Sequence, residues 1–61
     1  MIGSLGRVVD WDGGGGHIRI HGEMWQARSD DTVAPGQGVR VNEIDGLTLV
    51  VEPAKHQGEP T

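Results

Sequence analysis

The sequence predicts an all-β chain folded as a small five-stranded antiparallel barrel. Three observations carry that prediction. Apolar residues recur with period two in short runs, the spacing of half-buried strands. Eleven glycines among 61 residues punctuate those runs. They weigh against helix, where each interior glycine costs about 1 kcal/mol relative to alanine. Finally, five such strands left as an open sheet would expose one apolar face, whereas closure into a barrel covers it and removes the edges.

The first strand is expected from Leu5 to Trp11, with Leu5, Val9 and Trp11 inward and Arg7 near the rim. Asp12 and the run Gly13 to Gly16 read as a flexible loop, since consecutive glycines have no side chains to pack and no preferred sign of φ. The second strand, His17 to His21, alternates cleanly, with Ile18 and Ile20 inward and His17, Arg19 and His21 outward. The third, Met24 to Ser29, places Trp25 and Ala27 on the inner face. A two-residue Gly22-Glu23 turn pairs Ile20 with Trp25 and Ile18 with Ala27, and glycine in the first central position suits a type II′ turn. A His21-Gly22 turn would instead pair Ile18 with Trp25 and leave Ile20 opposite Glu23, so the former register is preferred.

Residues from Asp30 to Gly36 form a connection, ending in a Pro35-Gly36 turn of type II. Strands four and five, Val39 to Glu43 and Leu47 to Glu52, flank Asp45-Gly46. A three-residue loop, Ile44-Asp45-Gly46, pairs Val41 with Leu49 and Val39 with Val51, putting all four inward with Leu47, and Gly46 can supply the bulge such loops use. Residues 1–53 are thus expected to be the barrel domain and residues 54–61 a disordered tail without apolar periodicity.

Composition narrows function mainly by exclusion. Cysteine is absent, so there are neither disulfides nor thiolate metal ligands. Five basic and nine acidic residues give a net charge of −4, which opposes general attraction to nucleic acid or anionic lipid. The most apolar stretch, Leu47 to Val51, is far shorter than the ~18 residues of a membrane span, and Met1-Ile2 does not begin a signal-peptide pattern.

Two segments carry a resemblance. The order Gly22-x-x-Trp25-x-Ala27-Arg28-Ser29, then Val39-x-Val41 followed by Asp45-Gly46-Leu47-x-Leu49-x-Val51, resembles the C-terminal soluble domain of NfeD-like membrane proteins, and the likeness runs from about Gly3 to Pro53. It implies an OB-fold-like barrel, consistent with the strand pattern. It further implies a fragment of a membrane-anchored parent, whose transmembrane helices and, in long forms, serine-protease domain lie outside this chain. The implied partner is a stomatin- or flotillin-like membrane protein. The side of the membrane and self-association as a homo-oligomer are left open. The chain departs from the family in placing Asp12 and four glycines where members often carry a proline-containing turn.

Each candidate site has a plainer role beside it. His17 and His21 share a strand face, but four residues at ~3.3 Å each separate them by about 13 Å, too far to ligate one Zn²⁺. Asp10-x-Asp12-Gly13 lacks the later ligands of a calcium loop, and the glycine run is not followed by the Lys-Ser/Thr of a phosphate loop. Ser4 and Ser29 stand in no hydrolase motif. The expectation is no catalysis, no metal and no cofactor. The alternative to a protein-interaction domain is an oligonucleotide-binding module, because OB-folds commonly bind single strands on the face of strands two and three. Both tryptophans are assigned to the core, so no nucleic acid is expected. The candidate interaction face is the outward set Arg19, Met24, Gln26 and Arg28, residue types that include the Met and Arg enriched at binding surfaces.

Overall fold

The computed structural model describes residues 2–54. Five strands, β1 (Leu5–Asp12), β2 (Gly15–Ile20), β3 (Glu23–Arg28), β4 (Gly38–Asp45) and β5 (Thr48–Pro53), close into one barrel in the order β1-β2-β3-β5-β4. Closure is completed by β4 pairing back onto β1. The arrangement is OB-fold-like, as expected. All pairs are antiparallel except β3 and β5, which run parallel from Gln26↔Thr48 to Arg28↔Val50, so the sheet is mixed rather than wholly antiparallel. The connection from Ser29 to Gln37 makes this possible, because it carries the chain across the barrel before β4 begins.

The interior is filled by Val8, Ile18, Ile20, Ala27, Val39, Val41, Leu49 and Val51, with Val33 from the connection. β-branched residues predominate, which suits a pleated surface with packed neighbours. Trp11 and Trp25 pack against this core but are only half-buried, and neither indole N–H meets a protein acceptor among the described residues. The segment around Val33 is no passive link. Gly36 donates its N–H to the Val8 carbonyl, and Val8 donates to the Gln37 carbonyl. Gln37 in turn donates to the Ala34 carbonyl at 3.0 Å with Gly36 at φ +88°, the geometry expected for a type II turn at Pro35-Gly36.

Several expected details differ. The β2–β3 turn is His21-Gly22, giving Ile18↔Trp25, Arg19↔Met24 and Ile20↔Glu23. Both central residues have positive φ, 52° and 83°, the pattern of a type I′ turn whose twist matches its strands. Histidine tolerates that region better than most residues. The rejected register therefore wins on turn twist, and Ile20 is buried all the same. At the other hairpin the turn is the two-residue Gly46-Leu47, and Gly46 at φ +65° leads it. The extra residue sits instead in a bulge at Asn42, so Val41 pairs with Val51 and Val39 with Pro53 rather than with Leu49 and Val51, although Val39, Val41, Leu49 and Val51 all remain buried. Leu47 consequently lies on the turn, 84% exposed rather than inward.

In β1 the expected inward set shifts by one residue. Leu5 is 65% exposed and Val9 is exposed, while Val8 is buried. Val9 is the bulge between Val8↔Ile18 and Asp10↔His17, and it resets the alternation so that Trp11 turns inward again. Gly6 takes the inner position beside Ile20, where a Cβ would come within 2.8 Å of Ile20 Cγ1. The four-glycine run is not a loop: only Gly13-Gly14 turns, and Gly15 and Gly16 pair within β2. Ala54 donates its N–H to the Gly38 carbonyl, and the remainder of the expected tail, residues 55–61, lies outside the described residues.

Candidate functional site

β2 and β3 place the four candidate residues on the outside of the barrel. Ile18, Ile20 and Ala27 point inward and Arg19, Met24, Gln26 and Arg28 alternate with them, all exposed. Arg19 and Met24 are direct cross-strand partners, and His17 stands opposite Gln26. The expected juxtapositions, His17 with Arg28 and Arg19 with Gln26, are therefore replaced because the register moves with the turn. Arg28 lies at the far end of β3 and ion-pairs through Nη1 with Asp45 Oδ2 at 3.0 Å. Both partners are exposed, so the pair contributes at most about 1 kcal/mol, yet it ties β3 to the end of β4 and takes Arg28 away from Arg19.

The sequence reading missed Arg7 as a member of this surface. Arg7 stands directly opposite Arg19 across β1 and β2, and Leu5 stands opposite Arg40 across β1 and β4. Arg7 shares the parity of Leu5, Val9 and Trp11, the set expected inward; the bulge at Val9 leaves only Trp11 of that set against the core and turns Arg7 outward with Leu5. Where β1 and β2 part beyond the Arg7–Arg19 rung, an open hollow of about 410 Å³ is lined by Leu5, Gly6, Arg7, Arg19, His21 and Gly22. A second depression of about 440 Å³ lies among Gly14, Arg28, Ser29, Asp30, Glu43 and Val50.

Neither depression assembles a reaction centre. Ser29 is buried and its Oγ accepts the Asp31 N–H at 3.0 Å, a local turn bond rather than a partnership with a base. The imidazole of His17 lies 3.1 Å from the Asp10 carboxylate on the surface, with no serine hydroxyl bonded to it among the described residues. No cluster of three or more metal-ligating side chains occurs among the described residues. No helix among the described residues is long and apolar enough to cross a membrane. The tryptophans pack on the core, so the β2–β3 face presents no indole for base stacking.

Comparison with known proteins places this architecture. Residues 1–53 match the model of the NfeD-like C-terminal, partner-binding domain. The chain is 42% identical over 60 residues to the membrane-bound protease PH1510 of Pyrococcus horikoshii, a match covering 95% of this chain and 14% of that protein. It therefore spans about one seventh of that relative's length. Among solved structures, the C-terminal domain of the stomatin operon partner protein 1510-C of Pyrococcus horikoshii superposes with a TM-score of 0.85 at 41% identity, covering 92% of this chain and 91% of that one. The soluble domain of a Corynebacterium glutamicum membrane protein implicated in regulation of membrane protease activity superposes with a TM-score of 0.77 at 36% identity, over 85% and 89% of the two chains. In sequence over most of its length and in the closed path of its five strands, this chain belongs to the NfeD-like C-terminal, partner-binding domain family.

Proposed function

We propose that this chain is a non-catalytic docking module that binds a stomatin- or flotillin-like membrane protein through the outer face of β2 and β3. In a membrane-anchored parent it would serve membrane organisation or the regulation of a membrane protease. The carrying observation is the exposed Arg19–Met24 pair, a cation beside a flexible apolar side chain that is 52% exposed. Methionine adapts to irregular partners and arginine supplies directional donors, the combination enriched at interface cores. Family membership and the name of the stomatin operon partner relative support the choice of partner.

The test is co-purification of the membrane-anchored parent with a stomatin-like protein, comparing the intact parent, a parent lacking this barrel, and a Met24→Ala, Gln26→Ala double variant. Capture should fall sharply in the second and at least about tenfold in the third, the loss of a small hot spot. Equal capture by all three overturns the reading. Salt-sensitive binding of single-stranded DNA or RNA by the barrel would point to the oligonucleotide alternative.

A further inference from the structure

The outer face of β1 and β2 brings two like charges together. Arg7 and Arg19 are direct Cα partners on adjacent antiparallel strands, a juxtaposition that is unfavourable by itself. Neither makes an ion pair among the described residues, although acidic residues outnumber basic ones nine to five in the chain. Asp10 faces His17 and Asp45 holds Arg28, and no other acid forms an ion pair among the described residues. Arg7 is also held in place, since its Nη1 donates to the Gly36 carbonyl at 3.0 Å. One guanidinium is thus fixed by the backbone of the β3–β4 connection, and the second stands unpaired beside it.

These two cations border the 410 Å³ hollow, with His21 on its rim. Two of its lining residues are glycines, Gly6 and Gly22, which present bare backbone to it. At Gly6 a side chain would also strike Arg19, whose carbonyl oxygen lies 2.9 Å from the would-be Cβ. Exposed Leu5 forms one edge, and Met24 stands across from Arg19 on the other side. A concave site with two planar, forked donors and apolar margins suits a single protruding oxyanion carried between apolar neighbours. It suits a long polyanion poorly, because the hollow is flanked by no tryptophan and the chain's net charge of −4 repels an extended phosphate backbone.

We infer that the Arg7–Arg19–His21 hollow is an anion-receiving pocket that seats a glutamate or aspartate side chain from an acidic–apolar segment of the protein partner. The source of that carboxylate rests on the partner-binding reading; the pocket's chemistry does not. Because Arg7 is already anchored, less rotamer freedom is lost when the carboxylate enters.

The test is a nuclear magnetic resonance titration of the isotope-labelled chain with two probes, acetyl-Leu-Glu-Leu-amide and its Gln counterpart. The Glu probe should shift the Arg7, Arg19 and His21 signals saturably and bind about tenfold tighter than the Gln probe, the margin of a charge-assisted bidentate contact. Arg19→Gln should abolish that preference and Arg19→Lys should reduce it, with signal dispersion confirming the fold of each, while Thr32→Ala leaves it unchanged. Equal binding of both probes, shifts centred elsewhere, or no shift at all overturns the pocket. So does tighter filling of the same hollow by a short oligothymidine or by phosphatidylglycerol vesicles. The co-purification above separates the two ideas. Capture that survives Arg19→Gln sinks the pocket and spares the partner reading, whereas a titration that succeeds without any capture does the reverse.

Discussion

Gly16 decides how closely β1 and β2 approach. A Cβ on it would overlap the Asp10 carbonyl oxygen and come within 2.7 Å of Trp11 Cα, backbone atoms that cannot rotate away. Gly14, two residues earlier, would meet nothing nearer than the Ser29 carbonyl at 3.7 Å. Gly16→Ala is therefore expected to cost about 3 kcal/mol or to prevent folding, and Gly14→Ala to be nearly neutral, as measured by chemical denaturation. Comparable midpoints for the two would show that the bulge relaxes to admit a methyl group. The same contrast marks a limit of sequence reading. Four identical glycines carry no pattern from which to tell two strand positions from two turn positions. By contrast Ile18, Ile20, Ala27, Val39, Val41, Leu49 and Val51, which recur at every second position of their strands, were legible as core and are buried. Val33 was not, because a single valine in a polar connection has no period.

At the scale of the element, turns and bulges were the least legible parts. Strand number and order along the chain follow from alternation, but alternation does not change when a hairpin slips by a whole rung. Moving the turn from Gly22-Glu23 to His21-Gly22 keeps Ile18 and Ile20 inward and alters only their partners. What selects between them is backbone twist, which hydrophobic pattern does not report. The bulges at Val9 and Asn42 escaped for a related reason, since each inserts one residue without a distinctive side chain. Of the candidate face, the outward parity of Arg19, Met24, Gln26 and Arg28 could be read from alternation, whereas Arg7 needed the register across a bulge. The type I′ turn supplies a direct check. His21 occupies the left-handed region at φ 52°, which asparagine adopts more readily. His21→Asn should raise the melting temperature by a few degrees, corresponding to about 0.5 kcal/mol in a domain of this size. A fall would show that the imidazole contributes contacts outweighing its backbone strain.

At the scale of the whole molecule, the barrel's seams are unequal. β4 and β5 pair from Val39↔Pro53 to Asp45↔Thr48, and β2 and β3 over the whole length of each strand. The parallel β3–β5 seam and the closing β1–β4 seam span only three rungs each. Short seams open first, because few hydrogen bonds must break together. Amide protons bonded across those two seams should exchange with solvent faster than those between β4 and β5. Uniform protection around the barrel would mean that it opens only by global unfolding. The Arg28–Asp45 pair links β3 to the end of β4, the two strands that flank β5.

The backbone bonds at the two extremities of the described chain have a geometric consequence. Gly3 donates to the Val41 carbonyl and Ala54 to the Gly38 carbonyl, both on β4 and roughly 10 Å apart at the usual strand rise. Any covalent attachments there would grip the barrel by a single stave. The opposite wall would stay unobstructed, like the far side of a bead hung from two adjacent threads.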